Sequence, residues 1–385
     1  MRGTRALIHL DHLRDNIALV REKTGSPICL PVKADAYGHG ALPVAKAALA
    51  AGVEYLAVAT VGEGEELRKG GITAPVLLFS IALPEELETL VNANLEPLAG
   101  DADYIDALEA AAAKRTAKTE TAHQRGKIPG GKVPVHLKID TGMGRIGCAP
   151  EEAAALAARI AGSKHLALAG TATHLAVSDS LTPEDLTYTK NQLDTFRRAV
   201  KSIRAAGIDT GIVHAANTGA VTFHNDSWFD MVRPGILLYG YAPSRDGEPA
   251  MAVKPLMELE SRLVFIKEIK KGTAISYGRT WTAAEDTIIG TIPAGYADGL
   301  SRRLSNNWTV HINPAAGKPL VGRICMDQCM VDLGKNSTLQ RWDRVTIFGG
   351  TAPHAGIMAE QLGTIPYEIT CAINKRVPRV YLDSV

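Results

Sequence analysis

Short apolar runs alternate with amphipathic stretches from Cys29 to about Gly240, and the alternation predicts strand after strand, each followed by a helix. The strand candidates are ICLPVK (28–33), YLAVAT (55–60), PVLLFS (75–80), LEPLAG (95–100), VPVHLKID (133–140), LALAGTATHL (166–175), GIVHAANT (211–218) and WFDMVR (228–233). Between them, LPVAKAALAAG, PEELETLVNA, EEAAALAARIAG and TKNQLDTFRRAVKSIRAAG carry helical patterns. Eight such units predict an α/β fold, a (β/α)8 barrel over residues 1–245. An open doubly wound sheet competes, but no strand here is followed by G-x-G-x-x-G.

Beyond residue 245 the texture changes. LESRLVFIKEI, GTAISYGRTW, DTIIGTIPAG, WTVHIN, LVGRICMDQCMVDL and DRVTIFGG are β-like runs divided by Gly, Asn and Asp turns. They predict a mainly β domain over 246–385, with one helical stretch near IMAEQLG. The opening RALIHLDHL either starts the barrel or lends a strand to that β domain. Residues 115–132, RTAKTETAHQRGKIPGGK, have no apolar period and read as a solvated loop, with a basic contact patch as the alternative.

At 385 residues the chain has room for two cores, and its formal charge of +1 leaves no electrostatic footprint for nucleic acid or an anionic membrane. The charged opening MRGTRALIHLDHLRDN lacks the apolar core of a secretory signal, and no run approaches a bilayer span. Five scattered cysteines suit reduced thiols in a cytosol. Cys325 and Cys329 are four apart without a second Cys/His pair nearby, so they read as strand residues, with metal ligation the remote alternative.

The candidate chemistry falls on one rim. In such a barrel, active-site groups sit at the C-terminal ends of the strands. Lys33 ends the first, Asp140-Thr-Gly-Met-Gly-Arg145 follows the fifth, His174 closes the sixth, Asn217 and Thr218 close the seventh, and Arg233 ends the eighth. A lysine at the edge of a packed core can lose its proton and form a Schiff base with an aldehyde cofactor, although a lone strand-end lysine more often keeps its head in water. Arg233-Pro-Gly235-Ile236 reads as a helix start, either an ordinary one with no ligand or one whose free amides, with the Thr218 hydroxyl, would cradle a phosphate. Lys138, inside an apolar strand, either faces outward or is an inward cation in need of a partner. Tyr277, Tyr296 and Tyr367 lie in turn-like or strand-end contexts, where packing is the ordinary role.

Together VKADAYGHG, HLKIDTGMGRIG, THLA, HAANTGA, MVRPGILLYG, ISYGRTW, IPAGYADGL, GRICMDQCMVD and IPYEITCAINKRVPRVY resemble the alanine racemase family, in the family's order and over nearly the whole chain. The resemblance implies a pyridoxal-phosphate (PLP) enzyme of the barrel-plus-β-domain type, cytoplasmic, interconverting L- and D-alanine for peptidoglycan or for alanine catabolism. It implies that Lys33 carries the cofactor and takes the proton of D-alanine. Tyr277, supplied by the other subunit of a homodimer, takes that of L-alanine. Unperturbed pKa values of about 10.4 and 10 make both poor bases unless the site lowers them. Arg233 would contact the pyridine nitrogen and, always protonated, keep the ring a weak electron sink. His174 would link Tyr277 to Arg233. Arg145, helped by the Met326 backbone, would bind the substrate carboxylate, with Asp327 behind it and Tyr296 shaping the pocket. Tyr37, Asn217, Thr218, Gly235, Ile236 and Tyr367 would hold the cofactor, and Lys138 matches a position carbamylated in several members. A broad-specificity amino-acid racemase shares most of this machinery. A PLP-dependent decarboxylase would have to release the carboxylate that Arg145 clamps, and a non-enzymatic PLP carrier would not need the β domain.

Overall fold

The computed structural model describes residues 3–115, 131–243, 251–312 and 315–383. The chain divides into two compact units: one of Leu13–Ala36 and Ala41–Val253, the other of Met1–His12, Tyr37–Gly40 and Lys254–Val385. The expected boundary at 245/246 and all but the ends of the basic segment 115–132 lie outside the described residues.

The first unit is a parallel barrel. Strand β1 (Arg5–His9) precedes it in the chain; the barrel strands are β2 (Cys29–Pro31), β3 (Tyr55–Val58), β4 (Val76–Leu78), β5 (Glu96–Ala99), β6 (Val133–Lys138), β7 (Leu166–Ala172) and β8 (Ile212–His214). They pair in chain order into one seven-stranded parallel sheet. The apolar runs are continuous rather than alternating because both faces of a parallel sheet are covered, and β2 to β6 are buried at every position. The eighth stave is not a full strand. Segment 228–233 makes one bridge, Val232 to Ile28, while the Arg233 and Asp230 amides bond the Ala216 and Val213 carbonyls on the β8 side. The Asp230 carboxylate takes the Val213 amide, and Phe229 has a left-handed φ of 44°, so the stave closes the barrel through single bonds instead of a ladder. Cys29, Tyr55, Ala57, Leu77 and Met231 form a core cluster, with Phe79 and Ile212 packed against it.

The second unit is mainly β. Its strands are β1, β9 (Met257–Arg262), β10 (Phe265–Ile269), β11 (Ala274–Ile275), β12 (Trp281–Thr282), β13 (Thr287–Ile292), β14 (Thr309–Ile312), β15 (Ala315–Val321), β16 (Cys329–Asp332), β17 (Arg344–Phe348) and β18 (Arg379–Leu382). Nine of them form a sheet in the order β10-β13-β16-β15-β14-β17-β9-β1-β18. The opening RALIH run therefore lends its strand here: β1 pairs antiparallel with β9 and parallel with β18. The helix Ala355–Leu362 covers the IMAEQLG stretch, and a second helix, Pro366–Ala372, starts at a proline and carries Tyr367. The sequence pattern did not predict it, since seven residues are too short for a helical period to stand out.

Candidate active site

Four cations gather around one imidazole at the rim of the barrel. His174 lies two residues past β7, and its pKa is driven well below the ordinary histidine range, first by burial and then by Arg233, Arg145, Lys138 and Lys33. The rim is thus built for anions, and its histidine is held neutral there.

Lys33 leaves β2 into a backbone turn of unusual hand. Ala34, Asp35, Ala36 and Tyr37 all have φ between 51° and 53°, a left-handed helical turn without a glycine. Each such residue costs roughly 1–2 kcal/mol, so the surroundings must hold the turn in place. Glu63 does so from one end, accepting the Ala34 amide at 2.7 Å, and Asp35 accepts the Ala41 amide at 2.8 Å from the other.

Arg145 is exposed at the tip of the loop after β6. The Asp140 carboxylate gathers the loop by accepting the amides of Gly142, Met143 and Gly144 at 2.9–3.1 Å. Partial burial raises the Asp140 pKa, but those amides and Lys138 outweigh it and hold it below its ordinary value. The loop closes where Cys148 and Asp140 exchange bonds with the strand, and a Cβ on Gly147 would lie 2.8 Å from the Asp140 nitrogen.

Lys138 is the inward cation. It is 4% exposed, and its ammonium donates to the Ile139 carbonyl at 2.9 Å. Burial first, then Arg233, lowers its pKa from 10.5 to about 8. Folding therefore pays about 3 kcal/mol to keep the group charged at neutral pH, a cost that fades as pH rises from 8 to 10.5. Lys138→Met should accordingly raise stability at pH 7 in carbonate-free buffer, and the gain should shrink by pH 10. Urea denaturation at the two pH values checks this, and a gain independent of pH would refute it.

Arg233 is buried and held along one edge: Nη1 donates to His214 Nδ1 at 2.7 Å, and Nη2 donates to the carbonyls of Thr173 at 2.8 Å and Ala215 at 3.1 Å. His174 Nδ1 lies 3.4 Å from Nη2. Two expectations about the neighbouring Arg-Pro-Gly-Ile segment are corrected. No helix starts there; residues 235–241 form successive turns closed by bonds such as Leu238 to Gly235, so no helix dipole is available. Nor is the Gly235 amide free, because it donates to the Thr218 hydroxyl at 2.8 Å. Asn217 caps the short helix Thr218–Phe223 through the Ala220 amide.

In the β unit, Tyr37 meets Tyr367 edge to face, ring centres 5.4 Å apart. Gly38 allows this approach, since its φ is +84° and a Cβ would sit 2.1 Å from the Thr370 oxygen. Tyr296 and Met326 ride on loops joined by backbone bonds, Tyr296 to the Cys325 carbonyl and Ala297 to the Met326 carbonyl, both at 3.0 Å. Behind them Arg376 bridges buried Asp298 at 2.7 Å and Asp327 at 2.8 Å. Tyr277 sits in a turn where Ser276 and Arg279 have left-handed φ values of 65° and 47°. Tyr277 is 71% exposed and Met326 53%, an unusual outlay of apolar surface. His9, Asp11 and His12 offer ligand atoms within 4.8 Å, but the two imidazoles stack with ring centres 4.7 Å apart and planes 13° apart, so their lone pairs lie in near-parallel planes instead of converging on one ion.

The family model described as alanine racemase, N-terminal domain matches residues 8–243, and that for the C-terminal domain matches residues 256–381. The chain belongs to the alanine racemase family. The alanine racemase of Treponema denticola is 48% identical over 100% of this chain and 99% of its own length. Among solved structures, the Clostridium difficile alanine racemase aligns with a TM-score of 0.89 at 36% identity, covering 99% of this chain and 96% of that one. The Bacillus anthracis alanine racemase, described with bound L-Ala-P, aligns at 0.87 and 31% identity over 100% and 96%.

Sequence reasoning passed over several residues the structure gives a part: Glu96, His136 and His214 inside the barrel, and Asp298 and Arg376 in the β unit. His136 had a readable signal. It precedes Lys138 by two, which places both on one face of β6.

Proposed function

We propose that this chain interconverts L- and D-alanine, with pyridoxal 5'-phosphate as cofactor and a homodimer as the working unit. The observation that carries the reading is the cationic rim, where Lys33, Lys138, Arg145 and Arg233 all act on His174. A cofactor with a phosphate and a substrate with a carboxylate both suit such a rim. The donor set fits PLP: an amine at a strand end, a buried guanidinium for a ring nitrogen, and the Thr218 hydroxyl, which accepts from the Gly235 amide and keeps its own proton for a phosphate oxygen.

When bound, PLP supplies an electron sink that makes the alanine Cα proton removable. The protein would do the rest. Lys33 would hold the aldehyde and move the proton on the D face, and the partner's Tyr277 would move it on the L face. Tyr37, Thr218, Ile236 and Tyr367 would hold the phosphate, Gly235 through its bond to Thr218, and Asn217 would hold the cofactor beside them. Arg233 would keep the ring nitrogen unprotonated, with His174 between it and the tyrosine. Lys138, poised near pH 8, could accept carbon dioxide as a carbamate and turn from a repellent of Arg145 into its anchor. The exposed Tyr277 and Met326 favour a second copy of the chain as their cover. The segment up to residue 245, without the opening strand and Tyr37–Gly40, would then be the cofactor domain, and 246–385 the domain supplying Tyr277, Met326 and Tyr296.

No helix among the described residues is long and apolar enough to cross a membrane, and a cytoplasmic setting is the proposed one, with D-alanine going to peptidoglycan or alanine being catabolised. Arg145 would clamp the substrate carboxylate through its planar fork. Arg145→Lys should therefore raise KM for alanine about 10- to 100-fold while PLP affinity holds. Steady-state kinetics beside a PLP titration check this. The reading as a whole is tested by incubating PLP-loaded protein with D- and L-alanine, lysine and ornithine. Racemisation of alanine supports it; carbon dioxide release without racemisation overturns it.

A further inference from the structure

A line of hydrogen bonds crosses the barrel interior behind Arg233. His214 Nε2 lies 2.9 Å from His136 Nδ1, and His136 Nε2 lies 3.0 Å from Glu96 Oε2. Glu96, His136 and His214 are each at most 1% exposed. The line starts on β5, passes through β6, and reaches β8 and then Arg233 without using a side chain from β7. Gly170 explains how. It is the β7 residue in register with His136, and a Cβ there would lie 2.2 Å from His136 Nδ1. A strand glycine with no positive φ is otherwise a loss, so its place here is the room it leaves for the ring.

The proton positions follow from one end. A guanidinium only donates, so His214 Nδ1 accepts from Arg233. Burial and Arg233 hold His214 neutral, so its proton is on Nε2 and goes to His136 Nδ1. His136 then carries its proton on Nε2 and gives it to the Glu96 carboxylate. All three bonds point the same way, from cation to anion, and neither imidazole can change tautomer without setting a donor against Arg233.

We propose that Glu96 and His136 are positioning residues for the reaction, acting through His214 to hold the Arg233 proton on Arg233 and away from the cofactor ring. The effector is the Glu96 charge. A unit charge about 12 Å away, at the effective dielectric of about 20 that suits buried sites, changes proton affinity about tenfold. Glu96→Gln is the decisive variant because its amide oxygen still accepts from His136, and Arg233 forbids the flipped amide. It removes charge and keeps the register. The inference rests on the PLP reading, but its first test does not need the cofactor.

In cofactor-free protein labelled at histidine nitrogen, NMR should show the protons of His136 and His214 on Nε2, in wild type and Glu96→Gln alike; a proton on Nδ1 of either ring overturns the line. In PLP-loaded protein, Glu96→Gln should move the ring-nitrogen resonance toward its protonated position. It should also raise the fraction of turnovers that aminate the cofactor instead of racemising alanine, by about tenfold at most. Wild-type melting with an unmoved resonance and unchanged partition would make the line merely structural, and the proposal would fall. Lost stability with an unmoved resonance in the surviving holoprotein would overturn it equally. Wild type that binds no PLP would sink the functional reading while leaving the tautomer result standing.

Discussion

Lys33→Ala should abolish alanine racemisation, by at least about 10⁴-fold, and should also remove the visible absorption band of the PLP-loaded protein. Two losses combine in one side chain: the covalent hold on the cofactor and the base for the D face. The turn after Lys33 predicts that little else changes. Its strain is borne by backbone and carboxylate contacts, Ala34 to Glu63 and Asp35 to Ala41, none of which uses the lysine amine. Melting should therefore stay close to wild type, and phosphate-directed binding of PLP should persist at reduced affinity. A variant that kept the band and a tenth of the activity would exclude Lys33 from the chemistry. One that lost activity only by unfolding would leave the left-handed turn, not the amine, as the requirement at this position.

Barrel and β domain were legible because burial on both faces of a parallel sheet writes continuous apolar runs, and because solvent on one face of the later strands does not. Rim positions were legible for the same reason: they are what comes next when an apolar run stops. Less visible was whatever tertiary contact decides. The eighth stave read as a strand because WFDMVR is apolar, yet its pairing is carried by the Asp230 side chain and isolated backbone bonds. Arg233-Pro-Gly-Ile read as a helix start because proline favours that place, but the chain turns back at Gly240, φ 90°, before a helix can form. The left-handed turn at Ala34–Tyr37 left no mark, since nothing in Ala-Asp-Ala-Tyr favours that conformation locally. Lys138 was readable as a misplaced cation. Its neighbour His136 shares that face of the strand, but the room for its ring depends on Gly170, far off in sequence.

Tyr277→Phe should lower racemisation by about 10²- to 10⁴-fold in both directions, yet treat the two enantiomers differently when exchange is measured. Racemisation in either direction needs a proton carrier on each face. Exchange of the Cα hydrogen with solvent needs only one. In the variant, Lys33 should still wash deuterium out of D-alanine, while washout from L-alanine should fail. Phenylalanine keeps the ring, and the exposure of Tyr277 means that folding of its unit does not depend on the hydroxyl. The same residue tests the dimer. Co-expressing Tyr277→Phe with Lys33→Ala gives mixed dimers in about half the cases. If each site takes Lys33 from one chain and Tyr277 from the other, one site of every mixed dimer carries both lesions and the other carries none. Activity should then return to about a quarter of wild type from two nearly dead parents. A site built within a single chain would hold one lesion in every case, and nothing would be recovered.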